Sequence, residues 1–240
     1  MGVFLECKKA KRTGCGAAFL GGGMIAAAMP VVNMAVRSEM YVAQQGNPVQ
    51  ILLGANWQIM AMLNVLLVVA GACLLYQLEY SGNAMQKMKS LPIKESSVFF
   101  GKVMLTIFMS VMTLVIEAGA IAFCSYHWFQ VSGSFLSGLC QYFGYAFLLM
   151  LPCVILSLLI SEACRNMWIS LGIGVVCTFT ATMLPTDSFI LSLFPFAMPF
   201  QIFAGTDTEQ AMHYMYAAAA EFCVLALAEL VFLKVRRLFE

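Results

Sequence analysis

Long apolar runs alternate with short polar stretches along this chain. A helix needs about 20 apolar residues to cross the hydrocarbon core of a bilayer. Six runs meet that need: roughly 14–36, 51–77, 103–125, 136–160, 167–186 and 214–233. The stretch between the fifth and sixth runs is longer than the other connections. It contains FILSLFPFAMPFQIF (189–203), which is apolar but interrupted by Pro195 and Pro199. Proline removes a backbone donor and clashes with the preceding turn, so this segment is too broken to cross. It reads as short pieces that rest at the interface or dip into the membrane and out again. The predicted fold is an all-α polytopic membrane protein, one transmembrane domain over 1–240, with six transmembrane helices and a short broken re-entrant or interfacial segment before the last.

Composition supports that class. Hydrophobic residues make up 62 % of the chain and charged residues only 10 %, against roughly 25 % charged in soluble domains. Too little polar surface remains to face water all round. The charges that do occur are asymmetric. Twelve of the thirteen Lys and Arg residues fall at the N-terminus, in the connections after runs two and four, and in the tail. Arg37 is the thirteenth and stands alone on the opposite side, which instead holds Glu39, Asp187, Asp207 and Glu209. Lys and Arg accumulate on the cytoplasmic side, so both termini are expected in the cytoplasm. The N-terminal apolar run is long and interrupted by Pro30 and Asn33, which fits a membrane span rather than a cleaved leader.

The longest polar stretch is YSGNAMQKMKSLPIKESSVFFGK (80–102), with Lys87, Lys89, Lys94 and Lys102. On a helix over 79–91, Tyr80, Ala84, Met88 and Leu91 share one face, bordered by Met85. Glu79 lies in its first turn, where a carboxylate suits the helix dipole, and Pro92 ends it. The amphipathic pattern admits two readings: a helix lying on anionic headgroups, or a helix docked in a groove of a cytoplasmic partner.

Several chemistries find no support. Gly101-Lys102 is not a phosphate loop, because Ser96 stands where its first glycine belongs and Val103 where Ser or Thr belongs. His127 and His213 are the only histidines, without a metal-binding spacing, and no nucleophile elbow is present. No catalytic residue and no metal site are expected. Cys73, Cys124, Cys153, Cys177 and Cys223 read as small buried apolar residues. Glu117 and Glu221 lie inside apolar runs, where carboxylates rarely face lipid. They are either structural, hydrogen-bonded to neighbouring helices, or part of a substrate or proton route. Small residues, above all Gly21, Gly22, Gly23 and Ala26 in run one and Gly172 and Gly174 in run five, allow close helix approach. That approach serves packing within one subunit or, with Asn33, a contact and pathway between two.

Six spans, internal termini, the stretch LEYSGNAMQKMKSLPIKESSVFFGKV and the broken segment before run six resemble the type-2 ABC exporter permeases. The short length and lack of a large outer domain resemble the lantibiotic-immunity subunits. The resemblance implies a multi-pass permease of the bacterial plasma membrane with no ATPase of its own. It pairs with a second permease, identical or a sibling, and with two copies of an ABC ATPase subunit that binds ATP and Mg; this chain itself needs no cofactor and no nucleic acid. It implies a coupling helix at about 79–90, with Glu79, Tyr80, Gly82, Ala84, Met85, Met88, Lys89 and Leu91 meeting the ATPase. It also implies an N-terminal amphipathic helix over Val3, Phe4 and Cys7 with Lys8, Lys9 and Lys11. An amphipathic antimicrobial peptide is the implied cargo, with a drug, a lipid-linked glycan or sodium as alternatives. Outside the family stand an ion-coupled transporter and a membrane scaffold.

Overall fold

The structure is a computed structural model that describes residues 9–10, 14–44, 46–80, 95–129, 135–164, 166–184, 188–203 and 208–239. Among the described residues it is all α-helical. The elements are α1 (Cys15–Val42), α2 (Pro48–Tyr80), α3 (Glu95–Trp128), α4 (Phe135–Ala163), α5 (Met167–Met183), the single turn α6 (Phe189–Ser192) and α7 (Thr208–Phe239), with a 3-10 turn at Met198–Phe200 between the last two. Five of these helices, all but α5 and α6, are long and apolar enough to cross a membrane. The expected all-α polytopic fold is therefore what the chain adopts. The helices outrun the apolar stretches: α2 and α3 extend to Tyr80 and back to Glu95, into the polar sequence.

Helices α2 and α4 form the centre. Some 61 % of the apolar stretch of each is buried, against 33 % for α1 and α3 and 17 % for α7. α2 touches α1, α3, α4 and α5, while α7 leans chiefly on α4. The core falls into three clusters, two layered along the bundle and a third, with Tyr145, Leu149, Met198 and Tyr214, where α4 meets α7. At the end where Lys9 and Lys102 lie, called here the basic end, Phe19, Val65, Val69, Tyr76, Phe99, Val103, Val154 and Leu158 pack together. At the far end Met34, Leu52, Trp57, Ile121, Phe135 and Phe143 do so.

α5 begins sharply because the Asn166 side chain accepts a hydrogen bond from the Trp168 N–H at 2.9 Å, an N-cap. Its 17 residues rise only about 25 Å, less than the roughly 30 Å core of a bilayer. The broken segment that follows turns inward. Phe196 and Met198 are completely buried, and Phe196 joins the core layer of the basic end. Carbonyls of non-helical backbone at this depth need donors. The Trp57 indole N–H meets that need for Pro199, 3.0 Å away, and Gln201 donates to the Ser192 hydroxyl at 3.1 Å.

Glycine sets the close approaches. A Cβ on Gly71 would stand 2.4 Å from the Phe19 ring, one on Gly22 2.3 Å from Leu67, and one on Gly174 2.3 Å from Val69. Gly23 faces Thr113, with its backbone 3.3 Å from such a Cβ. Val69 is β-branched and stiff at χ1, so the Gly174 contact yields least. Gly172 has open space instead. Gly174→Ala is therefore expected to destabilise by about 1–3 kcal/mol through overpacking. Gly172→Ala is expected to be neutral or stabilising by up to about 1 kcal/mol through helix propensity. Thermal unfolding of the two purified variants in detergent checks the contrast.

Candidate functional site

The last turns of α2 carry polar groups on one face: Cys73, Tyr76 and Glu79, with Tyr80 beside them, at the three- and four-residue spacings of helix neighbours. Every one of them finds a partner on another element. Lys102, two turns into α3, is only 1 % exposed, and lysine is almost never fully buried unless paired. Its ammonium donates to Glu79 Oε2 at 2.5 Å and lies 3.9 Å from the centre of the Tyr76 ring, a cation–π contact. The other oxygen, Glu79 Oε1, accepts from Lys9 at 3.3 Å. One carboxylate thus holds two ammonium groups, one buried and one partly exposed.

The cluster continues toward α4. The Tyr76 hydroxyl donates to Glu162 Oε2 at 2.7 Å, and the Tyr80 hydroxyl donates to the Glu162 backbone carbonyl. The two tyrosine rings stack. One turn deeper, Ser161 and Ser170 exchange a hydrogen bond at 2.9 Å, with Cys73 Sγ 3.2 Å from the Ser170 hydroxyl. This ties α2, α4 and α5 together. Four helices and the segment carrying Lys9 therefore meet at the feet of α2 and α3, the two helices that bear the stretch 81–94. Among the described residues no group of His, Cys, Asp and Glu is placed to hold a metal ion. The arrangement stiffens and fixes the basic end.

The expected site residues are placed as follows. Glu79 is 3 % exposed and spent within the chain, so its side chain is not presented to a partner; burial of Lys102 demands it. Tyr80 is half-buried against α4. Gly82, Ala84, Met85, Met88, Lys89 and Leu91 lie outside the described residues, as does the N-terminal helix apart from Lys9 and Ala10. Of the small residues, Gly22, Gly23, Ala26 and Gly174 serve packing inside this subunit, since α1 and α5 press on α2 and α3 there. Gly21 and Gly172 have no neighbour that a Cβ would meet. Asn33 donates to Asn56 Oδ1 at 2.9 Å, joining α1 to α2. Glu117 is buried and accepts from Asn64 at 3.0 Å. Glu221 rides half-buried on α7.

Removing one partner of a buried ion pair strands the other charge, at about 3–5 kcal/mol. Glu79→Ala and Lys102→Ala are each expected to lose stability on that scale, and the double variant to lose less than the sum. Lys9→Ala is expected to cost no more than about 1 kcal/mol, as for exposed pairs. A double-mutant cycle on thermal or denaturant unfolding measures all three.

The comparison with known proteins bears on what such a bundle serves. No curated protein and no solved structure matches the chain. A family model described as "ABC-2 family transporter protein" matches residues 3–181. The match takes in α1 to α4, most of α5 and the whole of the ion cluster, from Lys9 to Ser170. Spanning most of the sequence, it shows that the chain belongs to the ABC-2 family of transporter membrane proteins.

Proposed function

We propose that the chain is the permease subunit of an ATP-driven exporter, worked by an ATPase on a separate subunit. The observation that carries this is the ion cluster at the feet of α2 and α3. A push on the stretch 81–94 is passed on to those two helix ends, to which the chain joins it. With Lys102, Glu79 and Lys9 locked together, the ends move as one body rather than bending apart. The sequence of that stretch supplies the docking face: Ala84, Met85, Met88 and Leu91, with lysines beside them. Twelve basic residues on one side of the membrane support a cytoplasmic location for it and for both termini.

In this reading two permeases pair and two ATPase subunits close beneath them on binding ATP. The open positions Gly21 on α1 and Gly172 on α5 support a pairing surface there, flanked by the exposed Met24, Ile25, Trp168 and Val176. Export from the membrane to the outside suits an amphipathic cargo. A cationic antimicrobial peptide, expelled by its producer as self-protection, fits the exposed acidic residues Glu39 and Glu209 and the resemblance to immunity permeases.

Met88→Arg places a charge in the proposed docking face. Wild-type chain, tagged and purified from its native membrane, is expected to bring down a subunit labelled by a photoreactive ATP analogue. The Met88→Arg chain is expected to reach the membrane and unfold at the wild-type temperature, yet to lose that subunit and at least about tenfold of ATP-dependent peptide resistance. Retention of both, or resistance that needs a proton gradient and no ATP, rejects the reading.

A further inference from the structure

Glu117 lies about two-thirds of the way along α3 and is completely inaccessible to solvent, as nearly is Asn64 on α2. Asn64 Nδ2 donates to Glu117 Oε2 at 3.0 Å. The remaining polar atoms of the two side chains, Glu117 Oε1 and Asn64 Oδ1, have no hydrogen-bond partner among the described residues. Written with an ionised carboxylate, the pair contains two buried acceptors and no donor for either. A buried unpaired charge of this kind is strongly disfavoured, and the group neutralises instead.

No cation stands near to offset such a charge. On α3 itself the only residues that can carry positive charge are Lys102 and His127, roughly 22 and 15 Å away along the axis; the nearer titratable residues, Cys124 and Tyr126, form no cation. Lys102 is engaged by Glu79, the only charged residue of α2. α1 contributes Arg37 and Glu39, beyond a break in its helical geometry at Arg37. α4 contributes Glu162, which accepts from Tyr76. α7, which brushes α3, brings Glu209, His213, Glu221 and Glu229, then Lys234, Arg236 and Arg237 in its last turns. None of the ion pairs formed among the described residues includes Glu117. The α3 hydroxyls do not serve it either: Thr113 donates to the Ser110 carbonyl, Thr106 donates to the Lys102 carbonyl, and the buried Ser110 and Ser125 hydroxyls have no hydrogen-bond partner among the described residues.

One proton resolves both orphan atoms. A carboxylic acid has one O–H donor, and the carboxamide oxygen is an acceptor. We propose that Glu117 is held as the neutral acid and that it forms with Asn64 a closed two-hydrogen-bond ring, Glu117 Oε1–H donating to Asn64 Oδ1 while Asn64 Nδ2 donates to Glu117 Oε2. The ring clamps α2 to α3 at mid-membrane and makes Glu117 a fixed positioning group rather than a carrier of protons. This stands independently of the energy source or cargo of the transporter.

The test uses the full chain in detergent or lipid with 13C-labelled glutamate and infrared spectroscopy. At neutral pH a protonated-carboxyl band is expected in the wild type and absent from Glu117→Gln. Asn64→Leu, which removes the acceptor, is expected to shift that band upward. Glu117→Gln keeps both hydrogen bonds of the ring and is expected to unfold within a few degrees of the wild type. Glu117→Ala is expected to fall well below it. A wild-type spectrum differing from Glu117→Gln only in carboxylate bands overturns the proposal. So does a band unmoved by Asn64→Leu, or a Glu117→Gln chain that fails to fold or melts as low as Glu117→Ala.

Discussion

An ammonium group inside a membrane bundle must have an anion within reach, and Lys102 is such a group. Taking a charge out of water costs several kcal/mol even after relaxation, and a partner repays it only with close geometry and further hydrogen bonds. That demand sets the register of α3 against α2, because Glu79 is the only carboxylate α2 possesses. It sets the rotation of α2, because Tyr76 must lie under the same ammonium. With Tyr76 so turned, its hydroxyl reaches Glu162 and fixes α4 as well. The basic end of the molecule follows from one buried charge.

Elsewhere the bundle is held by different means. Lipid tails are as apolar as leucine, so apolar burial does little to drive helices together in a bilayer; close packing and interhelical hydrogen bonds remain. The structure uses both. Gly22, Gly71 and Gly174 bring α1, α2 and α5 to separations at which a methyl group would clash. Asn33 with Asn56, and Asn64 with Glu117, cross-brace α2 to its neighbours at two depths. The outward faces of α1 and α5 have neither device, and their exposed Met24, Ile25, Val176 and Phe179 are suited to lipid or to another apolar surface.

Much of this was legible in the sequence, and the limits have physical causes. Apolar run length located the five helices long enough to cross, because the bilayer imposes that length, whereas the fifth run, 167–186, forms only the 17-residue α5. The prolines at 195 and 199 marked the segment that cannot cross. The helix ends were misjudged where polar residues continue a helix beyond the hydrocarbon, as at Tyr80 and Glu95. The ion cluster was missed because hydropathy counts Lys102 as a loop charge, although it follows Phe99 and Phe100 and precedes Val103-Met104-Leu105 within one helix. The spacing of Cys73, Tyr76, Glu79 and Tyr80 was the available signal for a polar face. Which glycines pack inside the subunit depends on helix rotation, and Gly172 and Gly174 are indistinguishable until α5 is set against Val69.

The Trp57 bond to Pro199 gives the far end a different mechanical character. Phe196 and Met198 exchange one apolar surrounding for another if their segment slides toward lipid, so hydrophobicity offers little resistance. What resists is an indole donor, one amide-to-hydroxyl hydrogen bond and the local turns. Each is worth about 1 kcal/mol, far less than the charge lock opposite. The broken segment is therefore latched more lightly than the feet of α2 and α3 are locked.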